Sequence, residues 1–282
     1  MKIKYLGTAA AEGLPALFCK CDNCMRAREL GGKNIRSRSQ AIIDGKILID
    51  WPSDAYYHMI SSDMNYADIT SLLVTHIHED HFYPDDLMNR RDGFAHLGDD
   101  ARQMTVYGSE DVYLPFTRTV GKVQLTWSDK RPNNVNYRLV KPYEPFDVEG
   151  YTVTALRAYH GTEHPYIYLI SKDGKTLLYA HDTDVFYDEV WQYLSDNRIR
   201  FDLVSLDCTE GDKQIRYHGH MNTYRNIETR DRLIAIGSAD AGTVFVMNHF
   251  SHNGALSVYE DMLPRAAELG FICSYDGLEI DF

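Results

Sequence analysis

Residues 75–81 read THIHEDH, so His76, His78, Asp80 and His81 offer three imidazoles and a carboxylate within six positions. In an extended turn His76 and His78 project to one side, whereas Asp80 and His81 come where a helix can begin and aim at a neighbouring point. Imidazole nitrogen with carboxylate oxygen is a donor set for Zn²⁺, Mn²⁺ or Fe. A lone histidine in a polar loop would carry little weight; this spacing points to metal. Three later side chains repeat the pattern: His160 follows YTVTALRAY, Asp182 follows TLLYAH, and His249 follows TVFVMN. Counted together, His76, His78 and His160 could hold one metal, and Asp80, His81 and His249 a second. Asp182, with two oxygens, could bridge them. Metals roughly 3.5–4 Å apart can share a bridging hydroxide near neutral pH and clamp attacking and leaving oxygens. A second concentration of donors is CKCDNC, residues 19–24, whose Cys19, Cys21 and Cys24 supply most of a zinc site. The residues alone leave its fourth ligand open.

Each donor of the first set ends an apolar, β-branched run, which reads as a buried strand delivering its last residues to one edge of a sheet. Further runs, AIID, ILID, MTVYG, YIYLIS and DLVSLD, extend that pattern. Asp44-Gly45 and Asp173-Gly174 predict tight hairpins. Helical periodicity is clearest over 54–63, 187–197, 222–237 and 257–270, and 82–150 is the least patterned stretch, expected to carry loops near the site. No Pro/Ser-rich linker divides the 282 residues, so one layered domain over 1–282, sheets covered by helices, is expected. The chain is 44% hydrophobic and 25% charged with net charge −12, which argues against tracking nucleic acid or anionic membrane by bulk charge. MKIKYLG lacks a signal-peptide core, no apolar run approaches the roughly 20 residues that span a bilayer, and clustered thiols suit a reducing cytoplasm.

THIHEDH with His160, Asp182 and His249 resembles the metallo-β-lactamase superfamily of binuclear hydrolases, over nearly the whole chain, including the opening YLGTAAAEGLP and the AIIDGKILID hairpin. Within it the sequence is most similar to the cyclic phosphodiesterases of phosphonate breakdown, whose CxCxxC is present as Cys19, Cys21 and Cys24. The resemblance implies an α+β, four-layer αββα sandwich with two divalent metals, Zn or Mn with Fe possible. It also implies a structural zinc completed by His252, three positions after His249 in HFSH. A Cys₃His set is closed, and closed sites are structural. The implied activity is hydrolysis of a small phosphodiester, possibly a cyclic ribose or nucleotide one, with Asp80 catalytic as well as ligating. His218, four residues before Asn222, matches the family's catalytic histidine, and His220 is its rival as proton donor. A lactonase, thioesterase or RNA-processing nuclease could use the same scaffold, and a metal-retaining binding protein is the non-hydrolytic alternative. A di-iron oxidoreductase would want a carboxylate where His78 stands. The opening turn and Cys loop could support a homodimer contact.

Other residues read as follows. Asp50 could accept from a ligand imidazole, although Trp51-Pro52 after it departs from the family's small residues. Arg36 and Arg38 could attract phosphate but read as a solvated basic pair. His164 could line the pocket, His181 points into the adjacent layer, and His58 and His96 are surface or packing residues. Cys208 and Cys273 read as core thiols.

Overall fold

The computed structural model describes residues 1–98, 102–121, 134–214 and 218–282. Strands β1 (Lys2–Gly7), β2 (Gln40–Ile43), β3 (Ile47–Ile49), β4 (Ser71–Leu73), β5 (Met104–Gly108) and β6 (Val135–Leu139) lie in one sheet in that order. The second sheet holds β7 (Phe146–Val148), β8 (Tyr151–Arg157), β9 (Tyr166–Lys172), β10 (Lys175–Ala180), β11 (Leu203–Asp207), β12 (Val244–Asn248) and β13 (Ile272–Cys273), also side by side in sequence order. The last strand, β14 (Glu279–Asp281), returns to the first sheet beside β1. Both predicted hairpins form. Asp44 and Gly45 join β2 to β3 with φ of 48° and 67°, and Asp173 and Gly174 join β9 to β10 with 51° and 77°. Two positive φ values in succession are what the tight hairpin turn demands.

The two sheets face each other across a core of Ile3, Tyr5, Ile43, Ile49, Tyr168, Leu177 and Tyr179. On β10 the alternation is legible residue by residue: Leu177 and Tyr179 enter this inner core, while Leu178 and Ala180 enter an outer one. That outer core is closed by helices α4 (Asp188–Asp196), α5 (Thr223–Ala235) and α6 (Tyr259–Glu268), through Val190, Leu194, Leu233 and Met262. Helices α2 (Ala55–Ser61) and α3 (Glu110–Phe116) cover the other sheet through Ala55, Val112 and Phe116. Helix α1 (Asp22–Leu30) packs separately on Leu14, Ala16 and Val258. Helix, sheet, sheet, helix is therefore the layer order, as expected. Because every central strand is buried on both faces, its sequence is a continuous apolar run.

The four helices read from periodicity all form, one to two residues shorter at each end where caps replace helical backbone. The poorly patterned 82–150 stretch is not all loop: β5, α3, β6 and β7 lie in it. Residues 99–101 and 122–133 of that stretch lie outside the described residues. Strands β10, β11 and β12 run parallel, as do β3, β4 and β5. Parallel strands end on the same side, and this brings distant strand-end residues together. Among the described residues no helix is long and apolar enough to cross a membrane.

Candidate active site

At that edge His76, His78, His160 and Asp182 bring ligand atoms within 4.8 Å of one another, and so do Asp80, His81, Asp182 and His249. Both predicted groups are assembled and Asp182 belongs to each. One Asp182 oxygen reaches donors of both groups. Asp182 Oδ2 lies 3.2 Å from His76 Nε2, 2.8 Å from His81 Nε2 and 3.9 Å from His160 Nε2. Its Oδ1 lies 3.2 Å from His220 Nδ1 and 3.4 Å from His249 Nδ1. Asp182 and His249 adopt φ of 52° and 63°, and Asp50 67°. Left-handed backbone in a non-glycine residue costs roughly 1–3 kcal/mol and is held only where surrounding structure dictates it.

The protons can be placed by elimination. Asp50 Oδ2, 2.7 Å away, accepts from His81 Nδ1, and the Gly219 carbonyl, 3.0 Å away, accepts from His160 Nδ1. Thr75 Oγ1 gives its proton to Asp50, so at 3.0 Å it accepts from His76 Nδ1. Thr209 Oγ1 donates to the Asp207 carboxylate or the His249 carbonyl, so at 2.8 Å it accepts from His249 Nδ1. All four imidazoles thus keep their proton on the outer nitrogen, the arrangement that ligating histidines use. Four Nε2 lone pairs point inward. His81 Nε2 and His249 Nε2 face each other at 3.2 Å beside Asp80 and Asp182 oxygens. Two acceptors at that distance need a cation between them, and nitrogen with carboxylate oxygen suits a divalent transition metal. The donor set fits the metals expected. Lacking one, a proton would have to serve: burial disfavours it, but Asp80, Asp50 and Asp182 outweigh burial and raise His81 well above its usual range. His76, by contrast, is pushed down to about 3 by burial and by the neighbouring His81.

These groups open on a cleft of about 310 Å³ whose wall includes Glu12, Thr209, Glu210 and His220. His220 Nδ1 sits 3.2 Å from both Asp182 Oδ1 and Asp207 Oδ2. Burial lowers its pKa, yet Asp207 and Asp182 prevail and raise it to about 11. Asp207, the last residue of β11, is fully buried. Its oxygens accept from the Met221, Thr209 and Asp182 backbone N–H groups at 2.8, 3.0 and 3.1 Å. No reading of the sequence above singled it out, although DLVSLD ends in a metal-competent side chain just as TLLYAH leads to one. His218 is not brought to the site. Its side chain is 69% exposed and its closest carboxylate is Asp184 at 3.9 Å, whereas the His220 side chain is 26% exposed. Of the two candidate proton donors, only His220 is drawn inward, by Asp207.

Cys19, Cys21, Cys24 and His252 form a third cluster with ligand atoms within 4.8 Å. Cys21 Sγ is 3.6 Å from His252 Nδ1. Asn23 ties the two segments by donating to the carbonyls of His252 (3.0 Å) and Gly254 (2.8 Å). The Cys21 N–H lowers the Cys19 thiol, and burial pushes Cys24 up to about 12. Three sulfurs and one nitrogen, all supplied by the chain, suit a closed zinc site.

Asp50 takes its expected place behind His81, with Oδ1 also accepting from the Thr75 N–H at 2.8 Å. Arg36 is not solvated: it is 2% exposed, donates to Thr8 Oγ1 and the Ser274 carbonyl, and stacks 4.2 Å from the Phe250 ring. Arg38 is committed to Asp54 and the Ala11 carbonyl. His181 lies between the layers, 2.8 Å from Ser205 Oγ. His164 leans towards Asp111 rather than the cleft. His58 is buried packing, and Cys208 and Cys273 are core thiols.

The first curated relative, an octanoyltransferase from Porphyromonas gingivalis (strain ATCC BAA-308 / W83), is 27% identical over 99% of this chain; the chain spans about half (51%) of that relative's length. A diphosphatase of the PhnP family superposes with a TM-score of 0.74 at 19% identity, over 100% of this chain and 98% of that one. Zn²⁺-bound PqqB from Methylobacterium extorquens superposes at 0.69 with 17% identity, over 100% of both chains. At such identities these structures carry the fold alone. Residues 54–267, well over half of the chain, match the beta-lactamase superfamily domain, a stretch holding all seven strand-end ligands but not the cysteine loop. By that match, and by the sandwich and the histidine-rich strand ends it predicts, the chain belongs to the beta-lactamase superfamily of metal-dependent hydrolases.

Proposed function

We propose that this hydrolase is a phosphodiesterase acting on a small phosphodiester, with a cyclic ribose or nucleotide phosphate as the substrate class. The observation that carries the reading is the division of labour at Asp182. One oxygen joins the two ligand groups, and the other faces a histidine on the cleft wall. His76, His78, His160 and Asp182 would hold one divalent cation, and Asp80, His81, Asp182 and His249 the other. Together such cations acidify water and offset charge on phosphoryl oxygens. The chain supplies the rest. Asp50, Thr75, Thr209 and the Gly219 carbonyl fix the imidazole rings. His220, held 3.2 Å from Asp207 Oδ2, is placed to give a proton to the leaving oxygen or to hydrogen-bond a phosphoryl oxygen. A cleft of about 310 Å³ suits a small substrate. Zinc in the Cys₃His cluster would be structural, fixing the turn that carries His249.

The curated relative's name favours a second reading, acyl chemistry, so the test must separate the two. Hydrolysis of a chromogenic phosphodiester, a lactone and an octanoyl thioester is compared with Mn²⁺- and Zn²⁺-loaded protein, and Asp80→Ala is the blank. Metal-dependent cleavage of the phosphodiester alone is expected. Cleavage confined to the thioester or lactone overturns the proposal. His220→Ala is expected to lower kcat by roughly 10²–10³-fold with metal content unchanged, and His218→Ala to change it little.

A further inference from the structure

The three cysteines of the third cluster are not equivalent. Cys24 is fully buried, and its Sγ accepts the Ala16 N–H at 3.2 Å. Cys19 Sγ accepts the Cys21 N–H at 3.4 Å. Cys21 is the exposed one, and among the described residues its Sγ accepts no backbone N–H. It meets His252 instead, with Nδ1 at 3.6 Å and the carbonyl at 3.8 Å. Hydrogen bonds to a thiolate withdraw electron density from sulfur, so the bare, exposed Cys21 is the most nucleophilic of the three. Cys21 is also the N-cap of α1. Its carbonyl accepts the Met25 N–H at 2.9 Å, while its side chain makes no capping bond. Cys24 follows three positions on, in the first turn. Three helical residues separate Cα atoms by about 5 Å, inside the window of roughly 4.4–6.8 Å that a disulfide tolerates. An exposed thiol and a buried partner at that spacing are set out as a reactive thiol and the thiol that resolves it.

We propose that Cys21 and Cys24 are a peroxide-sensitive pair whose oxidation to a disulfide dismantles the zinc site. The Cys21 thiolate attacks one oxygen of a hydroperoxide: an S–O bond forms, the O–O bond breaks, and the departing oxygen takes a proton and leaves as water or an alcohol. The Cys24 thiolate then attacks the Cys21 sulfur. The S–S bond forms, the S–O bond breaks, and the hydroxide takes a second proton and leaves as water. Two electrons pass from the sulfurs to the peroxide. Cys19 and His252 remain, two donors of four, too few for a closed zinc site. The inference does not depend on the phosphodiesterase reading, because zinc and mass report it rather than turnover.

The test treats the zinc-loaded full chain with hydrogen peroxide, following zinc release with a chromogenic chelator and the thiols by tryptic mass mapping. Trypsin cuts after Lys20 and Arg26, so the pair lies within one peptide, CDNCMR, while Cys19 lies in another. One equivalent of peroxide is expected to release one zinc per chain beyond any lost from untreated protein. It should leave CDNCMR lighter by its two thiol hydrogens, and dithiothreitol with added zinc should reverse both changes. Cys24→Ser is expected to stop at a Cys21 sulfenic acid, trapped by dimedone. Cys208→Ala and Cys273→Ala, which alter core thiols, are expected to leave zinc release unchanged. Should Cys24→Ser fail to fold, the peptide map of the unaltered chain decides. Zinc retained under excess peroxide overturns the proposal. So does a disulfide that links Cys19 to another peptide, or oxidation confined to Cys208 and Cys273. Zinc lost with every thiol unchanged overturns it too.

Discussion

The strand-end ligands and the cysteine cluster hold metal-competent side chains by opposite means. Around Asp182 the donors sit on the ends of parallel strands, mostly buried, and each imidazole but His78 has its outer nitrogen fixed by a second protein group. The cysteines sit on a surface loop and the first turn of α1, with Cys21 exposed and the fourth donor more than 200 positions away. The first arrangement is preorganised by the sheets, and the second would draw much of its rigidity from an ion bound there. On the proposed reading, that contrast would separate a site that leaves room for a substrate from one that holds a loop.

Several measurements would break or sharpen it. Asp182→Ala removes the atom common to both groups, so both cleft metals and activity should go together, with turnover down roughly 10³-fold or more. A variant that retained two metals by elemental analysis would show that Oδ2 is not the bridge. Asp50→Asn leaves every ligand in place and loosens one ring; metal affinity at the His81 group is expected to fall about 10–100-fold, read by competition with a chelator. Cys21→Ser should release one metal of three and lower the melting temperature, with the cleft pair retained. Loss of all three at once would mean that the two regions are not separable.

A smaller effect serves as a control away from both. Burial holds His58 down at about 4 against an ordinary 6.5. The folded state therefore binds fewer protons than the unfolded one between those values. Stability from this source is full above about pH 6.5 and is lost as pH falls towards 4, a total of roughly 3 kcal/mol. Urea midpoints of His58→Gln should fall less steeply than wild type across that window. Parallel slopes would remove His58 as the cause.

The strand-end ligands were legible because each is announced by its own apolar run, and the hairpins because Asp-Gly dictates its backbone. What was not legible depended on partners from elsewhere in the chain. Spacing to Asn222 favours His218, whereas Asp207, upstream in the chain, is what draws His220 inward. Arg36 looks like a surface cation until Phe250 and Ser274 fold over it. Asp207 itself ends a strand like the others, but no histidine motif accompanies it and its neighbour Cys208 reads as a core thiol.

The short turn from His249 to His252 serves two masters. One end supplies a ligand of the cleft and the other a ligand of the cysteine cluster, with Asn23 fastened to the second. Ordering that turn costs conformational entropy once, whichever ion arrives first. Occupancy of the two clusters would then be thermodynamically linked: an ion in the cysteine cluster would raise the cleft's affinity at the His249 position, and by reciprocity a filled cleft would tighten the hold on that ion. A chain loaded in steps would fill cooperatively across two sites that share no ligand.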